Sequence, residues 1–345
     1  MGTGKRSGSG VWLLLAAVAC AAGWYGAMPT GPAEATFVEI APGSSTSQIA
    51  AELEHSGVIR SQYVFDALRL WKRGRLKAGE YQFAGAATVA SVYDRIARGD
   101  VYTISVTIPE GANRFEIGKR LEQAGLGTAD GFVTATVSER GIVANMDPEA
   151  TSLEGYLFPD TYRFGRRMSE AQMAEAMVHR FRVEALLLGL TSDFHRVVTL
   201  ASLVEKETAV ASERPLVASV LVNRLSRGMP LMTDPAVIYG LELSGQWRRT
   251  IYASDLSDSA RDTAYNTYRH AGLPPGPVSN PGSASLRAVM HPEVTDYLYF
   301  VAAGSDPQGQ SRFATTLDEH QKNVAMYRQA VKQAGKQTGQ QAGQP

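Results

Sequence analysis

Two stretches of this chain, 68 residues apart, follow one template. Phe37 to Ile59 reads FVEIAPGSSTSQIAAELEHSGVI and Val106 to Leu126 reads VTIPEGANRFEIGKRLEQAGL, so Ile40, Gly43, Ile49, Leu53 and Gly57 recur as Ile108, Gly111, Ile117, Leu121 and Gly125. Each copy spells a strand, a glycine turn and an amphipathic helix stopped by a glycine. Ile and Leu four residues apart lay one apolar stripe along each helix, and such a stripe must pack on a neighbouring sheet. The repeat therefore predicts an α+β fold built from small strand-turn-helix units. Such units also occur as plain packing scaffold, so the pattern alone assigns no function.

Ahead of the repeat, Val11 to Met28 (VWLLLAAVACAAGWYGAM) is an uncharged, mostly apolar run of 18 residues. At about 1.5 Å per residue, a helix of that length nearly spans a hydrocarbon layer of roughly 30 Å. The run predicts a single N-terminal transmembrane helix over 11–28. Lys5 and Arg6 precede it and the next cation is Arg60, which keeps residues 1–10 in the cytoplasm and sends the remainder out of it. Trp24 and Tyr25 would sit at the outer interface. The competing reading is a cleaved lipoprotein signal, because Ala17-Val18-Ala19-Cys20 loosely fits its cleavage box. Apolar residues continue past Cys20 for a further turn, which favours the anchor over cleavage.

The length of 345 residues suggests about two domains. A Pro/Gly linker covers 29–36. Ser169 to Leu190 has a strongly helical pattern, and Asp193 is an N-cap candidate for a second helix through Val197, Val198, Leu200, Ala201, Leu203 and Val204. Glu213 to Arg227 forms a third, ended near Gly228, and Asp234-Pro235 reads as the cap and first position of a fourth. A turn-rich stretch, Ala264 to Gly282, follows. Tyr297 to Ala302 reads as a strand, Leu317 to Lys332 as a last helix, and 334–345 as a low-complexity, disordered tail.

Composition excludes several classes. Lys plus Arg (34) balance Asp plus Glu (34), and no basic stripe carries interleaved aromatics, so nucleic acid is not an expected partner. With Cys20 as the single cysteine, neither a disulfide framework nor a thiolate metal site can be built. The six histidines show no metal-ligand spacing and there is no G-x-S-x-G elbow, so no metal, no cofactor and no serine nucleophile is expected.

The segment LASLVEKET (Leu200 to Thr208) carries the candidate chemistry. Breaking a glycosidic bond needs a carboxylic acid held protonated by apolar surroundings. On a helical wheel the residues from Val197 to Val204 form an apolar face, Lys206 points away, and Glu205 and Glu207 fall on its two edges. Glu207 stands beside Leu200, Leu203 and Val204, so it is predicted to be the more desolvated. By spacing alone, the solvated end of an ordinary amphipathic helix is the better description.

Three motifs extend that reading: LEGYLFPDTY (Leu153 to Tyr162), LASLVEKETAVASERPLVASVLVNRLSRGMPLMTDPAVIYG (Leu200 to Gly240) and YNTYRHAGLPPGPVSNPG (Tyr265 to Gly282). In this order they resemble the endolytic murein transglycosylase, or YceG-like, family, from the apolar run to about Lys332. The resemblance implies an inner-membrane protein with a single-pass anchor. A small LysM-like module (37–103) is followed by a helical YceG-like catalytic domain (104–333) with a lysozyme-like active-site helix.

It implies non-hydrolytic cleavage of nascent peptidoglycan between N-acetylmuramic acid and N-acetylglucosamine, leaving 1,6-anhydro ends, with peptidoglycan synthases as partners. In lytic transglycosylases the catalytic Glu is typically followed by Ser or Thr near a helix end. Glu207-Thr208 fits that pattern, which leaves Glu205 as the runner-up. Tyr265, Asn266, Thr267, Tyr268 and Pro274 offer a rigid polar and aromatic loop for sugars. By resemblance Glu154, Tyr156, Thr233 and Asp234 line the same cleft, although Asp234 is equally explained as a cap. Close relatives often carry His-x-Phe before the last helix, where this chain has Ser311-Arg312-Phe313. The alternatives are a glycan-binding scaffold without catalysis and a lysozyme-like hydrolase.

Overall fold

Both copies of the repeat fold as the pattern predicts. The computed structural model describes residues 8–304, 306 and 309–341, and it is a mixed α+β protein, rich in helix, with small two-stranded sheets. The chain divides into two units: one up to Ile104 together with Arg163–Arg167, the other made of Ser105–Tyr162 and the chain from Met168 on. The return of Arg163–Arg167 to the first unit has no counterpart in the sequence pattern.

The first unit contains α1 (Gly8–Ala27), β1 (Thr36–Ile40), α2 (Thr46–His55), α3 (Gln62–Lys72), β2 (Gly79–Phe83) and α4 (Val89–Arg98). β1 and β2 pair antiparallel, from Thr36 opposite Phe83 to Ile40 opposite Gly79. Alternation puts Val38, Ile40, Tyr81 and Phe83 on the buried face, where Ile49 and Leu53 of α2, Phe65 of α3 and Val92, Tyr93 and Ile96 of α4 close the core. A capping box starts α2: the Gln48 N–H donates to Ser45 Oγ at 3.3 Å, and the Ser45 N–H donates to Gln48 Oε1 at 2.8 Å.

Among the described residues no helix is long and apolar enough to cross a membrane. The span expected over 11–28 therefore rests on the sequence pattern alone, although α1 occupies that stretch as a helix. The Lys5 and Arg6 flank, in the segment expected to be cytoplasmic, lies outside the described residues.

The second unit contains β3 (Ile104–Thr107), which starts at the division, α5 (Arg114–Gln123), α6 (Ala129–Ser138), the first half of β4 (Thr161–Phe164), which ends across the division, α7 (Glu170–Leu188), α8 (Phe194–Glu207), α9 (Arg214–Ser226), α10 (Asp234–Leu243), α11 (Ala253–Ser257), α12 (Ser283–Met290), β5 (Tyr299–Ala302), β6 (Ser311–Ala314) and α13 (Leu317–Gln341). Its copy of the repeat runs β3, the Gly111 turn, α5 and the Gly125 stop; Ile117 and Leu121 are fully buried, and both glycines hold positive φ, 74° and 76°. β3 pairs with β4, and β5 with β6 antiparallel, Tyr299 opposite Ala314.

The centre of this unit is α8. The wheel predicts an amphipathic helix, but Val198 to Val204 is buried without a break, Thr199 and Ser202 included. Neighbours surround it, and the Ser202 side chain is used: its Oγ donates to Thr199 O at 2.7 Å and accepts the Val278 N–H at 3.0 Å, while Ser279 Oγ donates to Ser202 O at 3.2 Å. This ties the second half of the LPPGPVSNPG loop to the helix. Asn280, fully buried, extends the tie: its Nδ2 donates to Ala112 O at 2.9 Å and Glu154 Oε1 at 2.8 Å, and its Oδ1 accepts the Leu157 N–H at 2.8 Å.

Two caps differ from the sequence reading. Asp193 precedes α8 as expected, but it lies at φ 56° and its side chain makes no capping bond. For α10 the cap position is Thr233, so Asp234 is the first helical residue and its carboxylate caps nothing. The tail also differs. α13 continues to Gln341, past the expected start of disorder at 334, and Ala, Lys and Gln, all good helix formers, supply much of that stretch. Residues 342–345 of the expected tail lie outside the described residues.

Gly155 shows how tightly the LEGY segment is built in. It holds φ +86°, and a Cβ there would lie 2.5 Å from Pro277 Cγ and 2.7 Å from Val198 Cγ1. Gly155→Ala combines overpacking with a disfavoured backbone and is expected to cost about 1–3 kcal/mol. Urea unfolding of purified protein measures this; an unchanged midpoint would count against the packing described.

Candidate active site

At its C-terminal end α8 presents three consecutive charged residues to three different surroundings. Glu205 is held in an ion pair: its Oε1 accepts from Arg214 Nη2 at 2.8 Å and its Oε2 accepts the Gly282 N–H at 3.0 Å. The pair is well shielded, with the Glu205 and Arg214 side chains 5% and 10% exposed. Lys206 Nζ donates to Gly111 O at 3.3 Å. Glu207 lines a cavity of about 340 Å³ together with Val220, Leu221, Arg224, Leu231, Met232, Thr233, Asp234, Tyr268, Phe300 and His320.

Burial of Glu207 agrees with the sequence expectation, but a second difference from Glu205, that of pairing, was not foreseen. Both side chains are withdrawn from solvent, and pairing separates them. The Glu205 charge is matched by a guanidinium and a backbone N–H, whereas no described residue hydrogen-bonds the Glu207 carboxyl. Burial pushes Glu207 up to about 7 from the ordinary 4.5; the charge of Asp234 adds to the rise and that of Arg224 opposes it. A carboxyl in that range exchanges its proton near neutral pH, as an acid that later serves as a base must.

The rest of the cavity comes from five other places in the chain: α9, the turn before α10, the YNTY loop, β5 and α13. Val220, Leu221 and Arg224 share one face of α9. Arg224 Nε donates to Leu298 O at 2.7 Å and its Nη1 to Leu231 O at 2.9 Å, so the cation is fixed by carbonyls while facing the cavity. Before α10, Met232 holds the left-handed conformation at φ 54°. This turn is tied to the YNTY loop: Thr233 N–H donates to Thr267 Oγ1 at 2.9 Å and Met232 N–H to Thr267 O at 3.1 Å. With its cap role gone, Asp234 Oδ1 accepts from the Tyr268 hydroxyl at 2.7 Å. His320, in the first turn of α13, stacks on Tyr299 with ring centres 5.1 Å apart, and burial beside Arg224 lowers its pKa.

The structure thus brings together Glu207, Thr233, Asp234 and Tyr268 from the sequence-predicted set. It does not bring in the others. Asn266 is buried and shapes the loop, its Oδ1 accepting the Tyr268 N–H at 3.1 Å. Thr267 makes the tie just described. Tyr265 packs edge-on against Tyr239, with ring centres 5.1 Å apart, and Pro274 is buried outside the cavity.

Glu154 and Tyr156, expected in the same cleft, belong to the interior instead. The Tyr156 hydroxyl donates to Asp147 Oδ2 at 2.7 Å. Glu154 accepts the Arg114 N–H at the start of α5 at 3.0 Å, besides Asn280 Nδ2, and burial pushes its carboxyl up to about 7. It joins segments of the unit to one another, which is why the motif is polar where it is buried.

Sequence reasoning missed Arg224, Met232, Phe300 and His320 as cavity residues. A signal existed for Arg224, one turn after Val220 and Leu221 on an otherwise apolar helix face. For His320 there was none, since histidines were weighed only for metal spacing. The chain lacks the expected histidine at 311, yet a histidine one helical turn into α13 reaches the cavity.

Comparison with known proteins gives a consistent assignment. The model of the YceG-like family matches residues 38–326. An endolytic murein transglycosylase of Bacillus subtilis (strain 168) is 31% identical over 321 residues, a match covering 84% of each chain. One from Streptococcus pneumoniae (strain R6) is 28% identical over 320 residues, covering 84% of this chain and 57% of that protein. A crystal structure of a yceG-like protein from Listeria monocytogenes has 32% identity and a TM-score of 0.54, and the superposition covers 84% of this chain and 99% of that one. On the strength of a match that takes in both units and every residue of the cavity, the chain belongs to the YceG-like family.

Proposed function

We propose that the protein is an endolytic peptidoglycan lytic transglycosylase in which Glu207 is the single acid and base. The observation that carries this reading is an unpaired carboxyl at about 7, facing a cavity that also holds a cation, a second carboxylate and a tyrosine. Glu207 gives its proton to the oxygen between N-acetylmuramic acid and N-acetylglucosamine as the bond from the muramoyl C1 to that oxygen breaks. The resulting carboxylate takes the proton of the muramoyl 6-hydroxyl as O6 bonds to C1, which closes the 1,6-anhydro ring. Glu207 ends protonated, as it began. Arg224 favours the carboxylate form between the two steps, and its carbonyl contacts keep it from collapsing onto Glu207.

One observation favours a second reading, lysozyme-like hydrolysis. Asp234 lies in the same cavity and could activate water, as two-carboxylate glycosidases do. Its hydrogen bond from Tyr268 suits a role in positioning sugar hydroxyls better. Mass spectrometry of digested glycan strands decides: anhydro-muramoyl ends support the transglycosylase, and reducing ends overturn it. Strands bound but unchanged in length would leave only a scaffold. Tyr268→Phe keeps the ring and frees Asp234, so turnover is expected to fall about tenfold, with stability within about 1 kcal/mol of the parent. Thermal melts and initial rates on one preparation test both halves.

The proposal extends to place and partners. The uncharged run 11–28 behind Lys5 and Arg6 anchors the chain in the cytoplasmic membrane of the bacterium, with everything after that run outside the cytoplasm. There the first unit serves as a LysM-like glycan contact, and synthases delivering nascent strands are the partners.

A further inference from the structure

The first unit carries an apolar face that its own fold leaves uncovered. On α3, Tyr63, Leu70 and Trp71 are 75%, 78% and 79% exposed, and Ala67 between them is exposed as well. Their spacing of four, seven and eight residues from Tyr63 makes one continuous stripe, opposite the side that sinks Phe65 into the core. Large side chains at three-quarters exposure cost free energy in water, and grouped on one helix face they mark an interaction surface.

Charge around the stripe says what covers it. From His55 to Gly79 the sequence holds Arg60, Arg69, Lys72, Arg73, Arg75 and Lys77 against one acid, Asp66. Lys72 is paired with Asp94 at 2.6 Å, whereas Arg73 and Arg75, at the end of the stripe, are exposed and have no ion-pair partner among the described residues. Asp66 is half-buried at its edge.

The position of α3 points the same way. Its beginning is fixed to the end of the apolar helix α1: a Cβ at Gly26 would lie 2.7 Å from Val64 Cγ2, so only glycine permits this approach, and the Arg60 guanidinium sits 4.9 Å over the Tyr25 ring. The stripe therefore begins where the chain leaves α1.

We infer that α3 is a membrane-surface helix, which lays Tyr63, Ala67, Leu70 and Trp71 into the headgroup boundary of a bilayer rich in anionic phospholipid while Arg69, Arg73 and Arg75 meet its phosphates. The inference rests on the anchoring reading above and is independent of the catalytic one. Its consequence is that the first unit lies against the membrane instead of swinging freely on a tether.

The test uses the full chain carrying Cys20→Ser and Leu70→Cys, labelled at position 70 with an environment-sensitive fluorophore, with Glu52→Cys labelled as an exposed control on α2. Each is reconstituted into vesicles of phosphatidylcholine alone or with phosphatidylglycerol. With the anionic lipid, the label at 70 is expected to shift to the blue and to be quenched by iodide about threefold less, while the label at 52 stays wet. Arg73→Gln with Arg75→Gln should weaken that shielding about fivefold per charge removed.

If the chain floats with the vesicles but position 70 remains as wet as position 52, the surface role is overturned and anchoring stands. Failure to float overturns both. Shielding that grows with protein concentration in the absence of lipid identifies a second copy as the occupant. Shielding that needs cell membranes and fails on protein-free vesicles identifies a protein. Either of these last two outcomes also overturns the inference.

Discussion

Glu207→Gln is expected to lower the release of anhydro-ended fragments by about 10²–10⁴-fold, the usual contribution of a positioned acid and base. Gln is isosteric and neutral, so it resembles the protonated acid in shape and differs in having no proton to give. Folding should not suffer; it should improve. A carboxyl raised to about 7 in the folded protein, against 4.5 in the unfolded chain, binds its proton more tightly when folded. Below about 4.5 both states hold that proton, and the variant and parent should be equally stable. As pH rises from 4.5 to 7 the unfolded chain ionises first, and the parent loses stability relative to the variant until the loss is complete above 7. At about 1.4 kcal/mol per tenfold change in proton affinity the gap is at most roughly 3 kcal/mol.

The same shift governs turnover in the parent, which should fall about tenfold per pH unit above about 7 as the acid ionises. Product assays and urea titrations at pH 4 and pH 8 check these statements. A fully active Glu207→Gln would remove the proposed mechanism; an inactive variant with no stability gain at pH 8 would remove only the account of its burial.

Glu205→Gln should do the opposite. The change removes the Arg214 partner at 2.8 Å and leaves only the more exposed Glu110 at 3.6 Å, so the cost is expected to be at most the roughly 3–5 kcal/mol of a buried ion pair broken from one side. It also weakens the contact to Gly282 N–H, which fastens the start of α12 to the end of α8. Protein that remains folded should still cleave glycan strands to anhydro ends. Urea midpoints and activity per folded molecule, measured together, separate the two glutamates. If Glu205→Gln were the stable, inactive variant, the assignment of roles at this helix end would be reversed.

The two glutamates also show where sequence reasoning stops. The helical wheel placed them on opposite edges of one helix, and that is how α8 presents them. The wheel saw only the helix's own apolar side, so it attributed their difference to burial. Their partners come from elsewhere: Arg214 from the next helix, Gly282 from 77 residues further on, Asp234 from a third segment. Glu154 and Tyr156 were misplaced for the same reason. A polar residue in a motif reads as exposed until the structure supplies buried partners such as Asn280 and Asp147, and no local pattern announces those.

By itself the sequence determined what nearest-neighbour chemistry decides. The strand-glycine-helix repeat, the glycines at positive φ, most helix limits and the polar end of α8 follow from side-chain periodicity and from backbone conformations only glycine takes easily. Only the tertiary structure decided which carboxyl keeps its proton, because that depends on charges and dielectric supplied by segments distant along the chain. It alone joined Asp234 to Tyr268, brought Arg224 and His320 to the cavity, and left the Tyr63–Trp71 face of α3 uncovered. Periodicity reports which residues share a face; it carries no information about what that face meets.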